Sequence, residues 1–154
     1  MVINPLPKVQ LSGLLRENLV ADGFDPDEFA KYFADWKALG AAGEYADPYF
    51  GKDGLYDRPL RSNKRVLWHV HLRPASDPVA CAEWDRLHDL GTRKTSNAVL
   101  VYVFDPVNGY LLLHLIHEPN GHSFSSMATA DSSQFMNQLA DIAEEFIYLN
   151  TVGL

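Results

Sequence analysis

Arg65-Val66-Leu67-Trp68-His69-Val70-His71-Leu72 alternates in a period of two, and that alternation is the signature of a half-buried strand because successive strand side chains point to opposite faces. The reading puts Arg65, Leu67, His69 and His71 on one surface. Val66, Trp68, Val70 and Leu72 form the other, apolar enough to pack on helices. A cation and two imidazoles on one sheet face can bind an anion and move a proton near neutral pH.

Working outward, Lys8 to Leu11 reads as a short first strand, and Ser12 caps a short helix that ends before Gly23. Asp25 as N-cap, Pro26 at the first helical position and Glu28 at capping-box spacing open a stronger helix. Its core stripe is Phe29, Tyr32, Phe33, Trp36 and Leu39, and Gly40 to Gly43 stop it. Residues 44–63 show no period and read as a long loop whose aromatics, Tyr45, Tyr49, Phe50 and Tyr56, anchor it. After the histidine strand, Asp77-Pro78 starts a helix presenting Ala80, Trp84 and Leu87 and closing at Gly91. Ala98 to Phe104 and Tyr110 to Ile116 are apolar on both faces, and Asp105-Pro106-Val107-Asn108-Gly109 joins them as a hairpin. A last helix is expected from Asp131 to about residue 149, burying Phe135, Leu139, Ile142, Ala143 and Phe146. The expected architecture is one α+β domain over 1–154: helices in 12–43, loop 44–63, sheet region 64–117 and a closing helix 131–149.

The 154-residue chain carries one cysteine, Cys81, so an intrachain disulfide is excluded and a reducing compartment, the cytoplasm, is expected. No secretory signal is visible at the start, and no apolar run is long enough to span a bilayer. Net charge is −7, which argues against non-specific nucleic-acid binding. The distribution is uneven. All thirteen Lys and Arg lie at or before Lys94, and 52–73 holds six cations against two acids. One basic and one acidic surface are therefore expected.

All six histidines fall from His69 to His122. His114 and His117, three apart on one strand, point to opposite faces, so at most one joins His69 and His71. His122 sits in the loop Glu118-Pro119-Asn120-Gly121-His122, within reach of the sheet. Zinc binding, structural hydrogen bonding and acid–base chemistry on a phosphodiester compete for this cluster. No Cys pair, helical His-x-x-x-His or aligned carboxylate supports a metal, and no cofactor motif is present.

Three segments in order resemble the YafO-type toxins of bacterial type II toxin–antitoxin pairs. They are Phe50-Gly51-Lys52-Asp53-Gly54-Leu55-Tyr56-Asp57, then His69-Val70-His71-Leu72, then Arg93-Lys94-Thr95-Ser96-Asn97 through Leu100-Val101-Tyr102 to the strand Leu111 to Ile116. Pro119 with His122, and Ile142-Ala143-Glu144-Glu145-Phe146, extend the resemblance to about Tyr49–Ile147. Two departures stand out: Phe124-Ser125-Ser126 where the family tends to carry an Arg, and Asn97 where it often has Asp. The resemblance implies a RelE/ParE-like fold and an endoribonuclease that cuts mRNA on the ribosome and is held inactive by a cognate antitoxin. On that reading His69, His71, His114 and His122 are the candidate proton-transfer residues. Arg65, Arg73, Arg93 and Lys94 are candidate phosphate contacts, Lys52 and Tyr56 position substrate, and Arg58, Arg61 and Lys64 dock on RNA. The competing reading is a toxin that inhibits its target by contact alone.

Overall fold

The computed structural model describes residues 6–153; the reading that no signal precedes the domain falls on residues 1–5, outside that range. The chain runs β1 (Val9–Leu11), α1 (Gly13–Ala21), α2 (Pro26–Ala38), a 3-10 turn, α3 (Gly43–Ala46), β2 (Phe50–Leu55), β3 (Leu60–Arg61), β4 (Lys64–Arg65) and β5 (Trp68–Leu72). It continues through α4 (Pro78–Asp89), β6 (Val99–Asp105), β7 (Gly109–Ile116), α5 (Asn120–Ser125) and α6 (Ala130–Leu149). Five strands form one sheet in the order β1-β7-β6-β5-β2, and β3 pairs only with β4. All neighbours in the large sheet are antiparallel except β1, which lies parallel to β7. The class is α+β with a mixed sheet and helices at both ends of the chain.

The two-sided apolarity of β6 follows from its position. It is central, and helices cover both faces. Leu100 and Tyr102 face a core with Leu15, Leu19, Phe29, Phe33 and Trp36 of α1 and α2. Val99, Val101 and Val103 face Met136, Leu139, Ala140 and Phe146 of α6. The first core is aromatic, with Trp36 stacked on Phe50 at 4.5 Å between centroids; the second is largely aliphatic. Asp25 caps α2 as its pattern requires, accepting from the Asp27 and Glu28 amides. Phe29, Phe33 and Trp36 are buried, whereas Leu39, past the helix end, is 55% exposed.

Four expectations are corrected. Residues 44–63 are not a loop: α3 and β2 lie there, and β2 is an edge strand of the main sheet. Gly51 and Gly54 erase the alternation that would have marked it, and Gly51 has a purpose, because a Cβ there would strike the Lys94 backbone. The histidine strand begins only at Trp68, so Arg65 does not share its face; it lies on β4 beside Asp57, while Val66 and Leu67 both enter the α6 core. The closing helix starts one residue earlier than expected, capped by Thr129. Thr129 accepts from the Ser132 amide and the Ser132 hydroxyl accepts from the Thr129 amide, a capping box with serine in place of glutamate. Segment 118–122 is largely helical, as the first turn of α5.

Candidate functional site

His69 and His71 stand on β5 opposite Val101 and Val99 of β6, hence on the α6 face of the sheet. α6 does not reach over them. A cleft of about 870 Å³ opens there instead, floored by the two imidazoles. Its walls are Tyr56 and Asp57 from the β2–β3 connection, Asp77, which caps α4, Glu83 on that helix, and the segment Thr95-Ser96-Asn97. Glu118 and His122 close it, with Gly121 packed so tightly on the Asn97 carbonyl that a Cβ would lie 2.5 Å from that oxygen.

The two rings are 5.5 Å apart and inclined at 58°. His71 Nδ1 lies 2.8 Å from the Ser96 carbonyl oxygen and 3.0 Å from the Ser96 amide nitrogen. Either tautomer is thus satisfied at Nδ1, which leaves Nε2 for proton exchange. His69 is roofed by Tyr56, whose ring lies parallel at 3.8 Å. Its Nδ1 is buried with no hydrogen-bond partner among the described residues, a costly state that structural histidines rarely occupy. Burial first, then the charges of His71 and Lys52, push the His69 imidazole down to about 4 against the opposing pull of the Gly54 backbone. His71 is lowered as well, by burial and by the nearby Lys52 and Arg93 charges. Both rings are therefore neutral at pH 7 and able to accept a proton. Burial also raises the Tyr56 phenol, so its hydroxyl stays protonated.

Glu118 is the anchor of the opposite wall. Its Oε1 accepts from the Ala75 amide, the Ser76 amide and the Ser76 hydroxyl, at 2.8–3.1 Å. Burial raises this carboxyl, but those hydrogen bonds outweigh it and hold it below the usual range. Its Oε2 is buried and unpartnered among the described residues.

The structure brings together only part of the expected set. His69, His71, His122 and Tyr56 line the cleft. His114 does not. It pairs with Val101 in the same row as His69, two strand spacings or roughly 10 Å away, and Phe135 of α6 packs edge-on against it. Its Nδ1 lies 3.0 Å from Asn18 Nδ2 and burial holds it at about 4, which suits a structural histidine. His117 pairs with Asp22 on the far side. Lys94 is also corrected: it is fully buried, its ammonium donating to the Tyr45 carbonyl at 3.1 Å and lying 5.7 Å from the Trp84 ring centre, with its pKa lowered by burial. No phosphate can reach it.

Most of the remaining cations are engaged. Arg73 forms a bidentate pair with Asp85 at 2.9 Å, and Arg93 binds Glu44 at 2.8 Å. Arg61 binds Asp141 and the Asn137 carbonyl, Arg65 faces Asp57, and Arg58 donates to the Ser126 carbonyl. Lys52 and Lys64 are exposed and make no ion pair among the described residues. Of these two, Lys52 is the one whose charge is felt by both imidazoles. The described residues hold no group of three or more His, Cys, Asp or Glu side chains able to cage a metal.

Residues 34–148 match the family model described as toxin YafO of a type II toxin–antitoxin system. The chain belongs to the YafO toxin family. No curated protein and no solved structure matches it. The match spans the whole cleft, and a type II toxin has a cognate antitoxin as its partner. None of the helices of this YafO-family chain, among the described residues, is long and apolar enough to cross a membrane. Sequence reasoning missed Glu118 and Ser96, although both lie in segments singled out above; hydrogen bonds to loop backbone leave no periodic trace.

Proposed function

We propose that this YafO-family toxin is a single RelE/ParE-like domain that acts in the cytoplasm as a ribosome-dependent mRNA endoribonuclease. The observation that carries the reading is the pair of neutral, cleft-facing imidazoles, one of them with a buried nitrogen left without a partner among the described residues. In the proposed reaction the RNA 2′-hydroxyl attacks the adjacent phosphorus. The 2′-O–P bond forms, the P–O5′ bond breaks, and a 2′,3′-cyclic phosphate and a 5′-hydroxyl result. His69 takes the 2′-hydroxyl proton as base. His71 or His122 delivers a proton to the leaving oxygen, an arriving phosphate raising the proton affinity of a neighbouring imidazole. Lys52, with Arg93 behind it, offsets phosphate charge, and Tyr56 supplies an aromatic face at the cleft mouth. Arg58, Arg61, Lys64, Arg65 and Arg73 contribute to docking on the ribosome by exchanging exposed protein partners for phosphates.

A second reading is favoured by one observation: the cleft is lined by Asp57, Asp77, Glu83 and Glu118 and by no Lys or Arg among the described residues. Under it the toxin blocks its target by contact. Mapping RNA 5′ ends in a translating extract separates the two. New ends at ribosome-occupied positions support cleavage; arrest of translation without new ends supports the contact reading.

A further inference from the structure

Lys94 to Asn97, between α4 and β6, belong to no helix or strand, yet this segment is fastened at three points. The Lys94 carbonyl accepts from the Lys52 amide of β2 at 2.8 Å, and the Lys94 side chain is buried. The Asn97 carbonyl accepts from the Gly121 amide of α5 at 2.8 Å. Between them stands the Ser96 hydroxyl, 2.6 Å from the Leu72 carbonyl oxygen and 3.0 Å from that of Ala98, to one of which it donates. It also accepts from the Ala98 amide at 3.1 Å. The Leu72 amide donates to the same Ala98 carbonyl at 2.8 Å, so the Ser96 side chain is tied into the last rung between β5 and β6. What this fastening fixes is the Ser96 backbone, whose amide nitrogen and carbonyl oxygen both stand at His71 Nδ1, 3.0 and 2.8 Å away. The amide suits a neutral ring with its proton on Nε2, and the carbonyl suits a ring protonated on both nitrogens. His71 can therefore gain and lose a proton without turning. His69 has no such rest, because its Nδ1 is buried and unpartnered among the described residues. His122 enters hydrogen bonds among those residues only through its backbone.

We infer that Ser96 is a positioning residue that makes His71 the proton donor to the leaving oxygen, gripping Nδ1 through its own backbone and leaving Nε2 for the cleft. The proton passes from His71 Nε2 to the 5′ oxygen as the P–O5′ bond breaks, while the proton of the attacking 2′-hydroxyl goes to His69. His71 is left neutral, its Nδ1–H donating to the Ser96 carbonyl. A protonated ring is thus supported at His71, where the carbonyl contact opposes the lowering by burial, and unsupported at His69 Nδ1. Around the His71 ring stand His69 on the same strand, Lys52 on β2 and Arg93 just before the fastened segment, with the four cleft carboxylates and His122 across from it. None of these is bonded to Nδ1; Ser96 alone meets it among the described residues. The proton-transfer step rests on the ribonuclease reading, whereas the contact between Ser96 and His71 does not.

The test compares the full chain with Ser96→Ala and with Ser96→Thr, which keeps the hydroxyl. In NMR titrations without RNA, Ser96→Ala should lower the His71 pKa by at least about half a unit, because the carbonyl that favours the protonated ring is no longer held in place. His114, on β7 and away from Ser96, should titrate unchanged. In single-turnover cleavage on ribosomes, the rate of the natural chain should rise as pH falls toward the His71 pKa, since the acid is then more fully protonated. Ser96→Ala should slow cleavage about tenfold at pH 7, and should move that rise to lower pH by the amount the titration shows. The ribosome concentration at half-saturation should stay within about twofold, because Ser96 acts on the chemical step and not on docking. Ser96→Thr should restore both the titration and the rate. An unmoved His71 titration, an equal displacement of His114, or slower cleavage with an unshifted pH profile would each overturn the proposal. A natural chain that cuts no RNA would defeat the ribonuclease reading and with it the proton-transfer step, while the titrations would still decide whether Ser96 holds His71.

Discussion

Two polar clusters occupy opposite faces of the same sheet, and they are finished differently. On the α1–α2 face the Lys37 ammonium meets Asp53 Oδ2 at 2.5 Å, and the Tyr102 hydroxyl donates to Asp53 Oδ1. Four rings, Trp36, Trp68, Tyr102 and Tyr110, surround that ammonium at 4.9–5.6 Å. Both charges of that pair have an answer inside the protein. On the α6 face, His69 Nδ1 and Glu118 Oε2 are buried and unanswered among the described residues; the Trp36 Nε1 beside the ion pair is in the same state, but both charges there are met. A closed network commits its polar groups to the fold, whereas an open one keeps them for a guest.

The comparison breaks most readily at the closed cluster. Asp53→Asn should cost about 3 kcal/mol, because it strands Lys37, only 17% exposed, beside rings alone. Removing both charges, Lys37→Met with Asp53→Leu, should cost less than that single change, as measured by chemical denaturation. A double variant worse than either single one would show that the pair stabilises beyond its own burial cost.

The second effect is a dependence of stability on pH in a definite direction. His69 and His114 sit at about 4 in the folded chain, against about 6.5 when unfolded. The unfolded chain therefore binds more protons between those values, and stability falls as pH drops from about 6.5 toward about 4, on the order of 2 kcal/mol per histidine. Above about 6.5 this contribution is fully present and flat. His114→Gln should remove its share of the slope in melting experiments at pH 7 and pH 5; an unchanged slope would contradict the burial argument. For the same reason cleavage should not decline between pH 8 and pH 6, since His69 remains an unprotonated base across that range.

Smaller still are the stability effects expected at the cleft itself. His69→Gln with His71→Gln should lower stability by only about 1 kcal/mol, because neither ring fills an apolar core, yet it should abolish toxicity. Lys52→Glu should change stability least, within about 0.5 kcal/mol, while raising the imidazole pKa values seen by NMR titration, since its positive charge now lowers both. Titrations that do not move would place Lys52 too far away to serve a phosphate.

What was legible in the sequence followed local chemistry. Asp25-Pro26 and Asp77-Pro78 mark helix starts by caps, and the Asp105 to Gly109 turn is written in its residues: the Asp105 carboxylate accepts from the Val107 and Asn108 amides, and Gly109 takes φ +84°. The period of two predicted the shared face of His69 and His71. Features set by distant partners left no such mark. β2 carries Gly51 because the Lys94 backbone passes close by, and Lys94 itself is buried because Trp84 and the α3 carbonyls receive its ammonium. His114 fell out of the site because Phe135 of α6 packs against it, and no local spacing records where a distant helix docks.

The central claim is that the open cluster performs acid–base chemistry on RNA. The direct measurement is single-turnover cleavage of a defined mRNA on purified ribosomes, with 5′ ends mapped, for the natural chain and for His69→Gln/His71→Gln. The account predicts new 5′-hydroxyl ends with the natural chain, little cleavage of the same RNA without ribosomes, and at least about a hundredfold loss in the double variant. Cleavage that survives the double substitution, with the fold intact, would contradict it.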